Sequence, residues 1–484
     1  MRRAFKVLGF SGLVTVMLSG HAFADEPDTE ADPRHNTEEP KEAENASPII
    51  RPTEAAAPMA PIARPKFGDF AVSGYFRGGF GASNQKGRMT CFKLALPGGM
   101  FSKYRLGNEC ETWSETHFTI VTYVSDDGAV ATVHVMPTVF IPNTYLGYPP
   151  NGAITAPDQY QTSTGAVLYV PNLYVDIKDI SWLHGGTAWA GTRYYKREYV
   201  YISDFFYWNP SGVGSGVEDI HLGDDLRLSV AVFAVDGEPV SMGPNSPSLP
   251  LQVDFGFRPD VQLRGIKPWE GGELQIGVQA IANFSNDPTT HSGWGITAQF
   301  VQKVLAGDNK LAVQYGRGGG TGFGTLARFY YPDFSVRHDL TESRLRFVDV
   351  LTIQPLEWLG GQVAGVFQHD DLGTPGSQTN WYSGGGRVAV AFTKHAKVLG
   401  EGGYDRVKKD NGAGAQWLGK LTGAVAITAD RGFLARPEIR LFYTFARWNE
   451  DARTATVDSG RLYTDAYPDL LTGSIFGIQA ETWW

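Results

Sequence analysis

With 484 residues, 58 of them glycine, 13% aromatic and only 19% charged, the chain is long enough for two or three soluble domains or one large barrel. Many glycines with many Tyr, Phe and Trp suit strands and turns, and composition alone leaves a soluble propeller or sandwich level with a membrane barrel. The formal charge of −9, with no run of five or more Lys/Arg, argues against nucleic acid as a partner.

The first 24 residues predict export. Arg2, Arg3 and Lys6 form a positive start, Val7 to Leu18 is apolar, and Ala22-Phe23-Ala24 supplies small residues for cleavage before Asp25. No later apolar run approaches the length of a membrane-spanning helix, so a spanning structure must close its backbone hydrogen bonds as a barrel. Residues 25–66 carry eight prolines and ten acids against five Lys/Arg. Such a stretch cannot bury apolar area, and it reads as a disordered or polyproline-like periplasmic tether.

From Phe67 to the end, short segments alternate apolar and polar side chains between turn clusters. In 438–447, Ile439, Leu441, Tyr443 and Phe445 share one face, and Arg440, Phe442, Thr444 and Ala446 the other. Residues 386–393, Leu226–Ala234, Leu274–Ile281 and Leu311–Gly316 read similarly. One face fits lipid and the other water, the pattern of a transmembrane barrel strand, although a half-buried soluble strand gives the same signal. Cys91 and Cys110, close in sequence in an exported protein, read as a disulfide across a local loop; no CxxC or further ligand set suggests zinc. The stretches 137–168 and 316–324 read as long loops, the second a flexible glycine run without a phosphate-binding Gly-Lys-Ser/Thr ending. The chain finishes on Trp483 and Trp484, residues suited to a membrane interface. Absent His-Glu-x-x-His and Gly-x-Ser-x-Gly motifs argue against an outer-membrane enzyme, and no cofactor or metal is expected.

Two pairs stand out. Tyr75 and Arg77 share a strand face, as do Trp113 and Glu115, each joining an aromatic plane to a charged hydrogen-bonding group. Sugars favour that combination, since their C–H face lies on a ring while their hydroxyls bond to charged groups. The same aromatics also fit a lipid-facing girdle, the commoner use in barrels.

The segments GYFRGGFG (74–81), Cys91-Phe92, SKYRLGNECETW (102–113), WAGTRYYKR (189–197), DFFYWNPSGVGSGVE (204–218), RPEIRLF (436–442) and the terminal pair resemble the maltoporin family over roughly 67–484. The 102–113 motif is the long, specific one. The resemblance implies an all-β, transmembrane antiparallel barrel of about 18 strands, in homotrimers with one pore per subunit, in the outer membrane of a Gram-negative bacterium. It implies facilitated diffusion of oligosaccharides, malto-oligosaccharides among them, along an aromatic slide flanked by ionic side chains. Tyr75, Trp113 and Trp483 match slide positions; Arg77, Arg105, Glu115, Arg197 and Asp204 match the ionic track; Cys91 and Cys110 match the disulfide of the first outer loop.

The departures are as specific. A constriction tyrosine becomes Phe206, a constriction acid Tyr199, and a track arginine Tyr169. One slide phenylalanine becomes Asp308, and a slide tryptophan Leu434, with Phe433 adjacent. Tyr145 or Tyr148 is a candidate for the ring a neighbouring subunit contributes through its second loop. A sugar-facilitating channel is therefore the leading reading, and a general or other-solute porin on the same barrel the alternative.

Overall fold

The computed structural model describes residues 65–85, 87, 89–96, 101–142, 154–155, 166–236, 255–284, 292–323, 342–458 and 466–484. The expected export signal, all but the last two residues of the expected tether, and Tyr145 and Tyr148 lie outside them. Among the described residues, eighteen long antiparallel strands form one sheet. The first, Phe70–Ser83, pairs with Glu111–Val124 on one side and with the last, Thr472–Trp483, on the other, so the sheet closes on itself. This is the barrel that the alternation and the resemblance lead one to expect.

The distribution of side chains decides between lipid and water outside. In the strand Glu438–Trp448, Ile439, Leu441, Tyr443 and Phe445 are exposed, while Arg440, Phe442, Thr444 and Ala446 are buried. Leu421, Val425 and Ile427 continue the outer apolar face on the neighbouring strand Gln416–Thr428. The inward faces carry Gln262, Gln299, Gln314, Arg344, Arg346, Asp370 and Glu401, all buried. A soluble sandwich would have the reverse arrangement. Apolar outside and polar inside is stable only with hydrocarbon around the wall.

One end of the barrel has short turns, such as 125–129, 305–306, 357–358 and 394–395; the other has long connections, and the described parts of 84–110, together with 194–211, fold back inside. The Cys91–Cys110 disulfide closes the first of these loops. Beside it, the fully buried Asn108 donates to the carbonyls of Phe92 (2.7 Å) and Tyr104 (3.0 Å) and accepts from the Phe92 N–H (2.8 Å). Phe92 then stacks on Trp448 of the wall at 5.7 Å. Tyr104 lies where the wall offers Gly385 and Gly403, positions at which any Cβ would overlap its ring. The loop is thus a packed insert, and its apolar residues join those of the second infolded loop and the wall in the main cluster inside the barrel.

Two sequence expectations need correction. The stretch 137–168 is not all loop, because strands Val130–Pro142 and Ala166–Ile180 take up both ends of it. Pro137 looks like a turn residue, but it sits where the register shifts between Met136 and Thr138, and a bulge tolerates a missing N–H. The glycine run 316–324 is not a free loop over its described part. Gly316–Gly318 ends a strand, and Gly319–Gly322 forms a buried 3-10 turn on which Gln279 and Arg344 donate to the carbonyls of Gly320 (3.1 Å) and Thr321 (3.0 Å). A Cβ at Gly320 would collide with the Trp294 backbone, so the glycine permits close packing rather than flexibility.

The lipid-facing assignment has a direct test. Leu441→Arg, in the middle of an outer apolar face, is expected to cost about 2–4 kcal/mol of unfolding free energy in lipid vesicles. Denaturant titration of folded protein in liposomes measures it, and an unchanged midpoint would place that face in water.

Candidate functional site

The site is built where the two infolded loops meet the seam between the first, second and last long strands. Period-two alternation turns Tyr75 and Arg77, then Glu111, Trp113 and Glu115, and finally Glu481 and Trp483 inward. Register places them side by side: Tyr75 opposite Glu115 and Trp483, and Arg77 opposite Trp113 and Glu481. The residues that sequence spacing pairs thus share the inner face, and Tyr75 and Trp113 point into the lumen, not into a lipid-facing girdle. Trp484 points the other way and is 48% exposed on the outside.

The aromatic part begins at Trp113. Its indole N–H donates to Glu115 at 2.9 Å, and its ring stacks near-parallel on Tyr169 at 6.2 Å with Phe140 edge-on at 6.1 Å. Tyr169 reaches the interior through the bulge. Met136 faces Asn172 but Thr138 faces Tyr169, so the strand carries one extra residue and its inward parity changes. Trp483 is less accessible, because the Arg436 guanidinium lies 4.8 Å over its ring and Tyr201 meets it edge-on at 6.5 Å.

The ionic part is denser than the five track residues suggest. Arg77 donates to Asp204 and Glu111, each at 2.8 Å. Arg105 donates to the Tyr75 hydroxyl (2.6 Å), Glu481 (3.0 Å) and Glu109. Glu481 also accepts from Tyr75 (2.9 Å), Tyr201 (2.7 Å), Arg436 (2.8 Å) and Arg440. Lys103 bridges Glu109 (2.7 Å) and Glu111 (3.3 Å). Burial alone would raise the Glu109 carboxyl, but Arg77, Lys103 and Arg105 outweigh it and hold that group well below the usual carboxylate range. The same opposition, won by Arg77 and Arg105, lowers Asp204. Asp204 itself sits at φ 56°, a left-handed conformation that aspartate tolerates.

The second infolded loop supplies the opposite side. Its hairpin pairs Glu198–Val200 with Phe205–Trp208, and Tyr199 stacks on Phe206 at 5.0 Å and 19°. Arg197 lies 3.4 Å over the Tyr194 ring and 5.0 Å from that of Phe206. Two departures fall away from these rings. Leu434 and Phe433 are both buried, Phe433 against the edge of Tyr201, so neither offers a free plane. Asp308, half-buried near the short-turn end, shares the inward parity of Lys310. Sequence reasoning missed Lys103, Glu109, Glu111, Tyr201, Arg436, Arg440 and Glu481. The only available signal was that charged residues interrupt otherwise apolar strand faces.

Residues 70–484 match the family model described as LamB porin. The chain belongs to the LamB porin family. It is accordingly an outer-membrane porin, and the end with long loops is the outer one. Similar solved structures include the Acinetobacter baumannii channel OccAB1, 12% identical over 86% of this chain and 97% of that one, with a TM-score of 0.45. Another is the outer membrane channel DcaP of the same organism, 12% identical over 86% and 98%, TM-score 0.43. The trimer form of the Vibrio cholerae outer membrane protein OmpT is 9% identical over 87% and 100%, TM-score 0.38.

Glu109 provides a pH test of the porin's inner network. A carboxyl held low in the folded state stabilises it above the unfolded value of about 4.3, and that contribution is lost as pH falls through the folded value. Glu109→Gln is expected to lower stability by about 2 kcal/mol at pH 7, the scale of hydrogen bonds to charged groups. The gap from the parent should narrow below about pH 4 as the parent's own carboxyl protonates. Paired denaturant titrations across pH read it out, and a gap that widens on acidification would contradict the assignment.

Proposed function

We propose that this porin conducts sugars by facilitated diffusion, with malto-oligosaccharides among its solutes, and that it binds them less tightly than a maltoporin with a complete aromatic slide. The observation that carries the reading is the Trp113–Glu115 pair in the lumen wall, with Tyr169 stacked beside it. It offers a ring for the C–H face of a sugar next to a carboxylate for its hydroxyls. Tyr75 and Trp483 extend the aromatic line, with Arg77, Arg105, Glu115, Arg197 and Asp204 as the ionic track and Phe206 and Tyr199 at the constriction. Translocation needs no cofactor, since the channel only lowers the cost of carrying a hydrated solute through an apolar layer. Assembly as homotrimers, one pore per subunit, is part of the proposal and rests on the resemblance; mass measurement in mild detergent tests it.

Specific observations favour the alternative of a general or other-solute porin. Asp308 puts a carboxylate where the slide needs a ring, Leu434 and Phe433 are buried, and Arg436 covers Trp483. Each missing contact is worth on the order of 1 kcal/mol, so two or three lower glucan affinity roughly ten- to a hundredfold.

Block of ion current by a maltose-to-maltoheptaose series in planar bilayers separates the two. Saturable block is expected, with Trp113→Ala weakening it by about 1–2 kcal/mol and the lipid-facing Trp484→Ala leaving it unchanged. Parent-like block in Trp113→Ala would remove that ring from the pathway. No block by any glucan, with another solute blocking, would favour the general porin.

A further inference from the structure

Many inward cations of the constriction form ion pairs. Arg77 holds Glu111 and Asp204, Lys103 holds Glu109, and Arg105 holds Glu109 and Glu481. On the second infolded loop and the wall facing it, Arg193 holds Glu218, Lys196 holds Asp219, and Arg264 and Lys310 share Glu198. Arg197 is half-buried on that same loop, and among the described residues it has no carboxylate at ion-pair distance. Its surroundings are rings. The guanidinium carbon is 3.4 Å from the Tyr194 centroid and 5.0 Å from that of Phe206, and Phe206 is itself stacked on Tyr199. The acid tied to this cluster, Glu115, is engaged by Trp113 at 2.9 Å and by Tyr194 at 3.4 Å.

At 3.4 Å over a ring a guanidinium can only lie flat. Its N–H donors then spread around its rim, where a planar carboxylate can meet two of them edge-on. A cation with no counter-ion inside a low-dielectric wall draws an anion from solution more strongly than one already neutralised. The ring platform beside it suits the C–H face of a sugar, and Trp113 with Glu115 offers neutral residues a second platform one tyrosine away.

We propose that Arg197, held against Tyr194 and Phe206, is a carboxylate-recognition point, and that the solutes this channel favours are oligosaccharides carrying uronate groups. The proposal rests on the sugar-channel reading and narrows it. Carboxylate oxygens accept from the Arg197 rim while a sugar ring lies on Phe206, so acid and ring are read together.

The test compares maltotriose with tri-galacturonate as blockers of the full-length porin in planar bilayers, for the parent, Arg197→Gln and Arg197→Lys. The parent is expected to bind the tri-uronate more tightly than the neutral trimer. Arg197→Gln should lose roughly tenfold or more in tri-uronate affinity beyond whatever it loses for maltotriose. Arg197→Lys should fall between, since an ammonium keeps the charge but not the fork. Unitary conductance steps at the parent's frequency show that each variant inserts folded. Equal block by both trimers in the parent, or equal losses for both in Arg197→Gln, overturns the proposal and leaves the sugar channel standing. If neither trimer blocks, both readings fail. If benzoate competes as well as the tri-uronate, recognition is of charge alone and the carbohydrate proposal fails.

Discussion

Two carboxylates face each other directly beside the closing seam of the barrel, Glu438 on the next-to-last long strand and Glu481 on the last. Like charges in that position repel, and both are almost completely buried. The interior is organised around neutralising them. Lys397 and Arg440 hold Glu438 at 2.5 and 2.9 Å; Arg440, Arg436 and Arg105 converge on Glu481 with the hydroxyls of Tyr75 and Tyr201. These donors come from separate places: a wall strand, the turn before it, both infolded loops and the first strand. Removing Glu481 would leave three guanidiniums without their shared acid, so the loops keep their position through the charge at the seam as much as through apolar packing.

That dependence explains why the infolded loops are insertions of fixed shape. The first is tied covalently at Cys91–Cys110, internally by Asn108, and to the wall by Phe92 and Tyr104. The second is joined to the first where the Arg105 N–H donates to the Ile202 carbonyl at 2.9 Å. On the far wall, Gln362 accepts from the Ile202 N–H at 3.0 Å and Gln299 from the Tyr207 hydroxyl. A loop anchored on both sides of a lumen sets the width of the passage. The ring and charge positions it carries are therefore as well fixed as those on the strands.

Much of this was legible in the sequence, because strand alternation reports directly on which face meets lipid. Ile439 to Phe445 and their inward partners are assigned correctly by period two alone, as are Trp483 against Trp484 and Tyr75 with Arg77. What alternation cannot report is a change of parity. The extra residue opposite Pro137 turns Tyr169 inward, and nothing in the local sequence separates that proline from one in a turn. Nor can local reading find a hub whose members lie far apart. Arg105 and Glu481 are separated by 376 residues, and Arg436 and Glu481 by 45. Closure of the barrel brings them together, so the acid at the centre of the network looks in sequence like a stray charge in the last strand. The glycine run misleads for the opposite reason: glycine marks flexibility and close packing alike, and only the neighbouring backbone of Trp294 tells which.

A passage lined by mutually paired ions behaves differently from one lined by free charges. Arg77, Arg105, Asp204 and Glu481 are already engaged in ion pairs, so a hydroxyl that bonds to a paired atom exchanges with an existing partner. The net gain per contact is then modest, about 0.5–1.5 kcal/mol, as for any exchanged hydrogen bond. For a proposed sugar channel that modesty is useful, because a solute held strongly at one position would not move to the next. Strong, localised binding requires a group whose partner is missing. Among the described residues Arg197 has no carboxylate at ion-pair distance, so under the proposal made for it the second infolded loop selects the solute while the seam network sets position and width.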